Sequence, residues 1–329
     1  PPSCSCLCEL PDAEAIRRPF VGKFPKYCTR RLALVPETNS TDPPDSPVCV
    51  ILAAGKGTRI NANSEFNANS EFAGNSELAS CSLPKPLMTV AGRPMIDYVV
   101  EAARGCAPSR ILVVIGWLGE HIRQHLNSER AHSSPRNQGV RCEYVVQEAP
   151  LGTGHAFRCA VEKMEGFHGN VVVLNADKPL FTQASVAGLV HTHQATAAAI
   201  TLTTATVGNP TGYGRIVRSE WGTVQAVIEE KEATEAQKTI REINGGAYCF
   251  DLSQIQEYLD LLPQHGSDNS HGRKHEVFLT DIVRLSAAGG KRVSAYRSPD
   301  PDIVLGVNTL AQRELVEALV VKKRGVISS

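Results

Sequence analysis

The stretch VCVILAAGKGTRI, residues 48–60, decides the fold. Its first part, Val48–Leu52, is a short apolar run rich in β-branched residues, which is typical of a strand buried on both faces of a sheet. The small residues that follow allow the backbone to approach a ligand closely, and a lysine and an arginine stand among them. Free backbone N–H groups and cations converge in such a turn. The stretch therefore predicts a strand that runs into a phosphate-binding turn.

Two familiar phosphate-binding motifs do not fit this turn. A dinucleotide fingerprint requires a third glycine, and Ile60 occupies that place. A Walker A loop requires Ser or Thr directly after Gly-Lys, whereas Gly57 follows Lys56. On these residues alone an ordinary tight turn is an open alternative, and the downstream motifs decide between the two.

Charge and composition argue against two classes of partner. The 329 residues include 34 basic and 34 acidic side chains, so no broad field attracts nucleic acid or an anionic membrane. No apolar run approaches the ~20 residues that span a bilayer. Several of the ten cysteines stand in apolar runs, which favours reduced thiols and a cytoplasmic location. Because the sequence begins at Pro1 rather than Met, an organelle is an open alternative.

Apolar runs alternate with helical patterns along most of the chain. This alternation predicts an α/β fold with a doubly wound, mostly parallel, Rossmann-like sheet. Shorter strands in the second half, Gly246–Phe250 among them, predict a small substrate-facing β lobe on the same sheet. Ligands bind beyond the carboxyl ends of the strands in such sheets, so we expect the site there.

Two segments depart from this pattern. Prolines interrupt residues 1–46, which predicts a poorly ordered N-terminal extension before one domain at 47–329. Residues 61–78 are three near-copies of a hexad, NANSEF, NANSEF and AGNSEL. Each copy has one large apolar residue, so the segment predicts a low-complexity loop inserted into the domain.

Residues suited to phosphate, base and metal chemistry follow the predicted strands. Prolines on both sides of Lys85 restrict the backbone that carries this cation near the first turn. In QEAPLGTGHA, residues 147–156, the amide of Gln147 and the start of a helix together can recognise the edge of a base. Asp177 follows the next strand, where a divalent ion would be held.

These motifs carry a resemblance to one family. The chain is similar to bacterial-type N-acetylglucosamine-1-phosphate uridylyltransferases, the N-terminal half of the bifunctional GlmU enzymes, from about Val48 to Arg324. The shared motifs, in order, are LAAGKGTR, LPKPL, AGRPM, QEAPLGTGHA, NPTGYGRI, VIEEKEAT, EINGGAY, FLTDIV and GVN. Nothing after Leu310 resembles the hexapeptide-repeat β-helix of the other GlmU half, so the resemblance implies no acetyltransferase activity. It leaves the oligomeric state unknown.

The resemblance implies a role for each matching residue. The nucleotide would be lined by Leu52, Ala53, Ala54 and Gly55. The catalytic cations on its phosphates would be Arg59 and Lys85. The uracil would be recognised by Gln147, Gly152 and Thr153. The ribose and phosphates would meet Asn175, Ala176 and Asp177. The sugar would be held by Gly214, Glu229 and Asn244. The Mg²⁺ cofactor would be bound by Asp177 and Asn308.

The implied reaction joins UTP and N-acetylglucosamine 1-phosphate in a Mg²⁺-dependent, in-line attack on the α-phosphate, with release of pyrophosphate. The sequence departs from the family at Ala176 and Lys178, where Gly and Val are usual, and at Gly245 and Leu305, where Thr and an acidic residue are usual. Two alternatives therefore stay open. One is the same reaction with another substrate, such as glucose 1-phosphate or another nucleoside triphosphate, and the other is a nucleotide-binding relative that does not turn over.

Overall fold

A computed structural model describes residues 46–55, 83–128, 142–263 and 276–324, all within one compact unit, Asp42–Ser329. The predicted N-terminal extension and the hexad segment 61–78 lie outside the described residues, and so does Arg59. All the other predicted site residues are described.

A nine-stranded sheet forms the centre of the described structure, and β2 and β3 form a separate hairpin. The strands are β1 (Val48–Leu52), β2 (Thr89–Val90), β3 (Arg93–Pro94), β4 (Arg110–Ile115), β5 (Cys142–Val146), β6 (Asn170–Asn175), β7 (Ile200–Thr206), β8 (Arg215–Arg218), β9 (Val224–Ile228), β10 (Glu242–Asp251) and β11 (Val293–Arg297). The spatial order is β11-β7-β10-β6-β1-β4-β5, with β8 and β9 beside β10. Strands β6, β1, β4 and β5 are parallel neighbours, and so are β7 and β11. Strand β10 is antiparallel to both β6 and β7, so the sheet is mostly parallel, as predicted.

Helices cover both faces of this sheet. The α-helices are α1 (Met95–Ala103), α2 (Gly119–Asn127), α3 (Thr153–Lys163), α4 (Gln183–Thr196), α5 (Glu235–Lys238), α6 (Leu252–Asp260), α7 (Leu279–Ala288) and α8 (Leu310–Arg324). Val48, Val50 and Leu52 of β1 belong to an apolar cluster with α3, α6 and α7. Cys49 and Ile51 belong to a second cluster with α1, α2 and α4. The predicted doubly wound α/β fold is confirmed by these two buried faces.

The substrate-facing lobe is built on the same sheet. Strands β8 and β9 are an antiparallel pair, and β8 joins β10 where Arg215 pairs with Ile243. Strand β10 begins at Glu242, four residues earlier than predicted, and its pairing with β7 is interrupted between Asn244 and Tyr248. The two glycines in that interruption explain why the pattern marked only the second part of the strand.

The C-terminal helix holds the loop that carries Lys85. This loop continues into the β2–β3 hairpin, where Arg313 of α8 donates a hydrogen bond to the Thr89 carbonyl at 2.9 Å. The backbone N–H of Ala91 donates to the Glu317 carboxylate, also at 2.9 Å. Among the described helices, none combines the length and the apolar character that crossing a bilayer demands.

Candidate active site

A cavity of about 240 Å³ lies at the carboxyl end of β6. This is the edge at which ligands bind in sheets of this kind. The predicted site residues that line it are Thr153, Asn175, Gly214, Glu229, Asn244 and Asn308. The structure therefore brings the predicted sugar residues together with one predicted metal ligand, although they come from distant parts of the chain.

Lys85 joins Asp177 and Asn308 at this edge. The Lys85 ammonium donates to Asp177 Oδ2 at 2.5 Å and to Asn308 Oδ1 at 2.8 Å. The backbone N–H of Val307 donates to the Asp177 carbonyl at 3.0 Å, which holds the two chain segments side by side. Gln312 of α8 accepts from the Asn308 backbone N–H at 2.7 Å. One cation and two side-chain oxygens thus converge from three separate segments.

The charge on Asp177 is stabilised by its neighbour. Burial alone raises the pKa of this carboxyl, but the ion pair and hydrogen bond with Lys85, together with the charge of Lys178 and a backbone hydrogen bond, outweigh burial, and the pKa lies below its ordinary value. The carboxylate therefore stays charged at neutral pH, next to a cation.

The same two oxygens suit a divalent ion. Asp177 and Asn308 already point their oxygens at one cation, the Lys85 ammonium. Carboxylate and amide oxygens are the hard ligands that Mg²⁺ prefers. Within the described ranges, no group of three or more His, Cys, Asp or Glu side chains could hold a metal. A pair of protein oxygens is consistent with Mg²⁺ that also binds substrate phosphates and water.

Gln147 is fixed at the start of α3. Its side chain is buried, and Nε2 donates to the Gly152 carbonyl at 3.0 Å and lies 2.9 Å from His155 Nδ1. In the part of the chain that the structure describes, these are its only side-chain hydrogen bonds, so Oε1 is available as an acceptor. Thr153 Oγ1 accepts from the Leu279 N–H at 3.0 Å. Thr153 lines the cavity, whereas Gln147 and Gly152 are not among the residues of its wall.

The end of β1 lies beside Ala176. The Ala176 N–H donates to the Leu52 carbonyl at 3.0 Å. Leu52, Ala53, Ala54 and Ala176 are buried, whereas Gly55 is exposed. The Ala176 methyl group belongs to the second apolar cluster. At this predicted nucleotide face, backbone groups rather than long side chains are therefore the available contacts.

Polar groups suited to a sugar line the other side of the site. Thr280 Oγ1 donates to Glu229 Oε1 at 3.1 Å, and burial raises the pKa of this carboxyl. Asn244 donates to the Tyr248 hydroxyl at 2.6 Å and accepts from the Gly246 N–H at 3.0 Å. These carboxylate, hydroxyl and amide groups can exchange hydrogen bonds with sugar hydroxyls.

Several cavity residues were not predicted from the sequence. Lys178 lines the cavity wall, is buried, and donates from Nζ to the Val304 carbonyl at 2.6 Å. Burial lowers its pKa to about 8. The other cavity residues that the prediction omitted stand inside motifs it had singled out, and they include Tyr213, Gly246, Thr280 and Gly306. Membership of those motifs was the only sequence signal for them.

Two glycines in the site have conformations that exclude a side chain. Gly246 has φ +77°, and a Cβ there would lie 2.8 Å from Asn175 Nδ2 and from Lys178 Cε. Gly152 has φ +102°, and a Cβ there would lie 2.4 Å from the Val277 carbonyl oxygen. Both values of φ lie in the region that favours glycine, so strain and crowding act together.

Known proteins are similar to this chain in both sequence and fold. Residues 79–300 match the Nucleotidyl transferase family. The chain is 36% identical over 273 residues to the "Bifunctional protein GlmU" of Mycobacterium tuberculosis (strain ATCC 25177 / H37Ra), which covers 83% of this chain and 49% of that protein. It is also 36% identical over 263 residues to the protein of the same name from Geobacter metallireducens, covering 80% of this chain and 48% of the relative. The chain thus spans about half the length of the curated relatives it matches.

A solved structure supports the fold independently. A crystal structure of UDP-glucose pyrophosphorylase complexed with UDP-glucose matches with a TM-score of 0.63 and covers 84% of this chain and 99% of that one. Its sequence identity is 19%, so this similarity concerns the fold alone. Because the family match extends over residues 79–300 of the 329, the chain belongs to the nucleotidyl transferase family, as its resemblance to the GlmU enzymes predicted.

Proposed function

We propose that the chain is a uridylyltransferase that forms UDP-N-acetylglucosamine and pyrophosphate from UTP and N-acetylglucosamine 1-phosphate. Membership of the family makes it a pyrophosphorylase-type enzyme for a nucleoside triphosphate and a sugar phosphate. The observation that carries the proposal is the convergence of Lys85, Asp177 and Asn308 beside a cavity that also contains Glu229 and Asn244. The groups proposed to bind phosphate thus lie next to the groups proposed to bind the sugar.

The proposed reaction is a direct displacement. An oxygen of the sugar 1-phosphate attacks the α-phosphorus of UTP, the bond to the β-phosphate oxygen breaks, and pyrophosphate leaves. Lys85 stabilises the negative charge on the phosphates, and Arg59, which lies outside the described residues, is proposed to do the same. Glu229 and Asn244 orient the sugar so that its phosphate faces UTP. Catalysis then comes from positioning and charge stabilisation, without a covalent intermediate.

Asp177 and Asn308 are the residues proposed to hold Mg²⁺. When bound, the ion supplies positive charge to the phosphates during the displacement. The two side chains supply oxygen ligands, and the lowered pKa of Asp177 keeps its carboxylate deprotonated for this purpose.

Base selection is proposed to rest on Gln147 and the turn at Gly152 and Thr153. With its amide nitrogen held by Gly152 and His155, Gln147 presents Oε1 as an acceptor. Uracil carries an N–H donor at its N3 position, whereas cytosine carries an acceptor there. The fixed amide therefore favours UTP over CTP.

A substrate panel tests this function. The purified chain is given each of the four common nucleoside triphosphates with N-acetylglucosamine 1-phosphate or glucose 1-phosphate, and pyrophosphate release is measured. We expect the highest kcat/KM for UTP with N-acetylglucosamine 1-phosphate, and loss of release in Lys85→Met. A higher kcat/KM for glucose 1-phosphate would show that the proposed sugar substrate is wrong. UTP binding without pyrophosphate release would show that the chain binds nucleotide but is not an enzyme.

A further inference from the structure

We propose that Lys178 binds the 1-phosphate group of the acceptor sugar, a phosphate monoester. This inference rests on the proposed function and adds to it a contact that the family resemblance does not supply, because valine is usual at this position in the family. The substitution places a lysine directly after Asp177, in the wall of the cavity.

The ammonium of Lys178 has a defined place. Its Nζ lies 2.6 Å from the Val304 carbonyl oxygen and 5.8 Å from the centre of the Tyr213 ring. A Cβ at Gly246 would lie 3.2 Å from Nζ, so the glycine makes space for the lysine. Tyr213 and Gly246 both line the cavity, and the ammonium therefore lies at its wall.

The charges around Lys178 indicate which part of the substrate its ammonium would contact. Its ammonium interacts electrostatically with Asp177 and Lys85, which are proposed to act at the phosphates, and with Glu229, proposed to act at the sugar. In a sugar 1-phosphate, the phosphate group is the part that connects those two regions. Lys178 lines the same cavity as Glu229 and Asn308, so its cation is placed for the 1-phosphate.

The hydrogen bonding of Lys178 is incomplete without an anion. An ammonium has three N–H donors, and in the described residues only the Val304 carbonyl accepts from Lys178. No carboxylate of the described chain lies within 4.0 Å of Nζ, and the residue is buried, with only 9% of its surface exposed. A buried cation is costly unless an anion pairs with it, and a phosphate monoester provides both charge and acceptor oxygens.

A purely structural role is the competing explanation. The bond from Lys178 to Val304 ties down the segment that leads to Asn308, so the lysine could act only by holding that segment. In that case a substitution would disturb the metal and nucleotide contacts as well as the sugar 1-phosphate. The two explanations differ in whether the loss of binding affinity requires a phosphate group on the sugar ligand.

Ligand binding without turnover separates them. We would measure calorimetric binding of N-acetylglucosamine 1-phosphate to Lys178→Met and Lys178→Arg in the presence of Mg²⁺ and α,β-methylene-UTP, which cannot release pyrophosphate. Binding of unphosphorylated N-acetylglucosamine would be followed by ligand-observed NMR. Lys163→Met is the matched control, because Lys163 is exposed at the far end of α3.

We expect Lys178→Met to bind the sugar 1-phosphate at least about tenfold more weakly, since a charge-assisted contact is lost. Lys178→Arg should recover most of the affinity, and Lys163→Met should match the parent chain. Binding of the unphosphorylated sugar and of the UTP analogue should change less than twofold. If Lys178→Met does not fold, Lys178→Gln is measured in its place.

Unchanged affinity for the sugar 1-phosphate in the folded variant would overturn the assignment. An equal loss for the phosphorylated and unphosphorylated sugars would overturn it too, because the effect would then come from cavity shape. Failure of the proposed function is a separate result: the parent chain would bind these ligands but release no pyrophosphate from UTP. A phosphate-dependent loss in Lys178→Met would still support the assignment in that case.

Discussion

The Lys85 ammonium lies 2.5 Å from the Asp177 carboxylate, although 92 residues separate them in the chain. Asn308, another 131 residues beyond Asp177, completes the arrangement at 2.8 Å from the same ammonium. Strand β6 presents Asp177 just after its carboxyl end, and the hairpin held by α8 positions Lys85. The three side chains therefore form one hydrogen-bonded unit, and we expect substitution of any one of them to change the position of the other two.

The metal assignment predicts that substitution of either proposed ligand lowers the rate of pyrophosphate release. Asp177→Asn and Asn308→Ala should each lower pyrophosphate release by about a hundredfold or more, since charge stabilisation at the phosphates is lost. Circular dichroism should show an unchanged fold. Activity is measured over a series of Mg²⁺ concentrations, with Asp260→Asn, an exposed position at the end of α6, as the control. Parent-like activity of either ligand variant at limiting Mg²⁺ would contradict the assignment.

The base assignment predicts a change in selectivity. Gln147→Ala should raise the KM for UTP by about tenfold and reduce the preference for UTP over CTP, because a site loses selectivity with its polar partner. Steady-state kinetics with both nucleotides measures the ratio. Gln194→Ala, an exposed amide on α4, should leave the ratio unchanged. An unaltered ratio in Gln147→Ala would mean that the base is recognised elsewhere.

Crowding at Gly246 predicts a larger cost than backbone strain alone. Gly246 and Gly290 have nearly the same φ, +77° and +79°, but only Gly246 has atoms where a Cβ would stand. Gly290→Ala should lower the free energy of unfolding by roughly 1 kcal/mol, the cost of a left-handed alanine. Gly246→Ala should lower it by a further ~1–3 kcal/mol through overpacking, and it should also lower activity. Urea titrations of both variants give the comparison, and equal losses would show that Asn175 and Lys178 move aside freely.

The ion pair of Glu242 predicts a pH-dependent stability. Arg218 donates to both Glu242 carboxylate oxygens, at 2.8 and 2.6 Å, and Thr204 donates to one of them. Burial opposes the charge, but these contacts outweigh it, and the pKa of Glu242 lies below its ordinary value of 4.5. A lowered folded-state pKa contributes stability above the unfolded-state pKa, and that contribution is lost as the pH falls through the folded value.

Glu242→Gln should therefore lower the free energy of unfolding by about 1–3 kcal/mol at pH 7. The difference from the parent should be constant above pH 4.5 and shrink as the pH falls further. Urea titrations between pH 7 and pH 3 measure it. Glu235→Gln removes an exposed pair with Lys238, which solvent screens, so its stability should match that of the parent at every pH. A constant difference down to pH 3 would contradict the linkage.

The sequence by itself determined the elements and the class of site. Strand β1 begins and ends where the apolar run Val48–Leu52 predicted, because a strand buried on both faces requires a continuous apolar run. Gln147 and Asp177 were marked because polar groups after buried strands stand at the binding edge of a parallel sheet, whereas Glu229 was implied only by the family resemblance. These signals are local, so they can be recognised from the sequence alone.

Only the tertiary structure decided which of these residues meet. The contact of Lys85 with Asp177 and Asn308, and the crowding of Gly246 against Lys178, depend on strand order and on how distant segments pack. The antiparallel insertion of β10 between β6 and β7 carries Gly246 to Lys178, and no periodicity within β10 encodes its neighbours. Strand partners are selected by burial and connection geometry over the whole chain. The hydrophobic pattern of the sequence therefore could not predict which residues form the cavity wall.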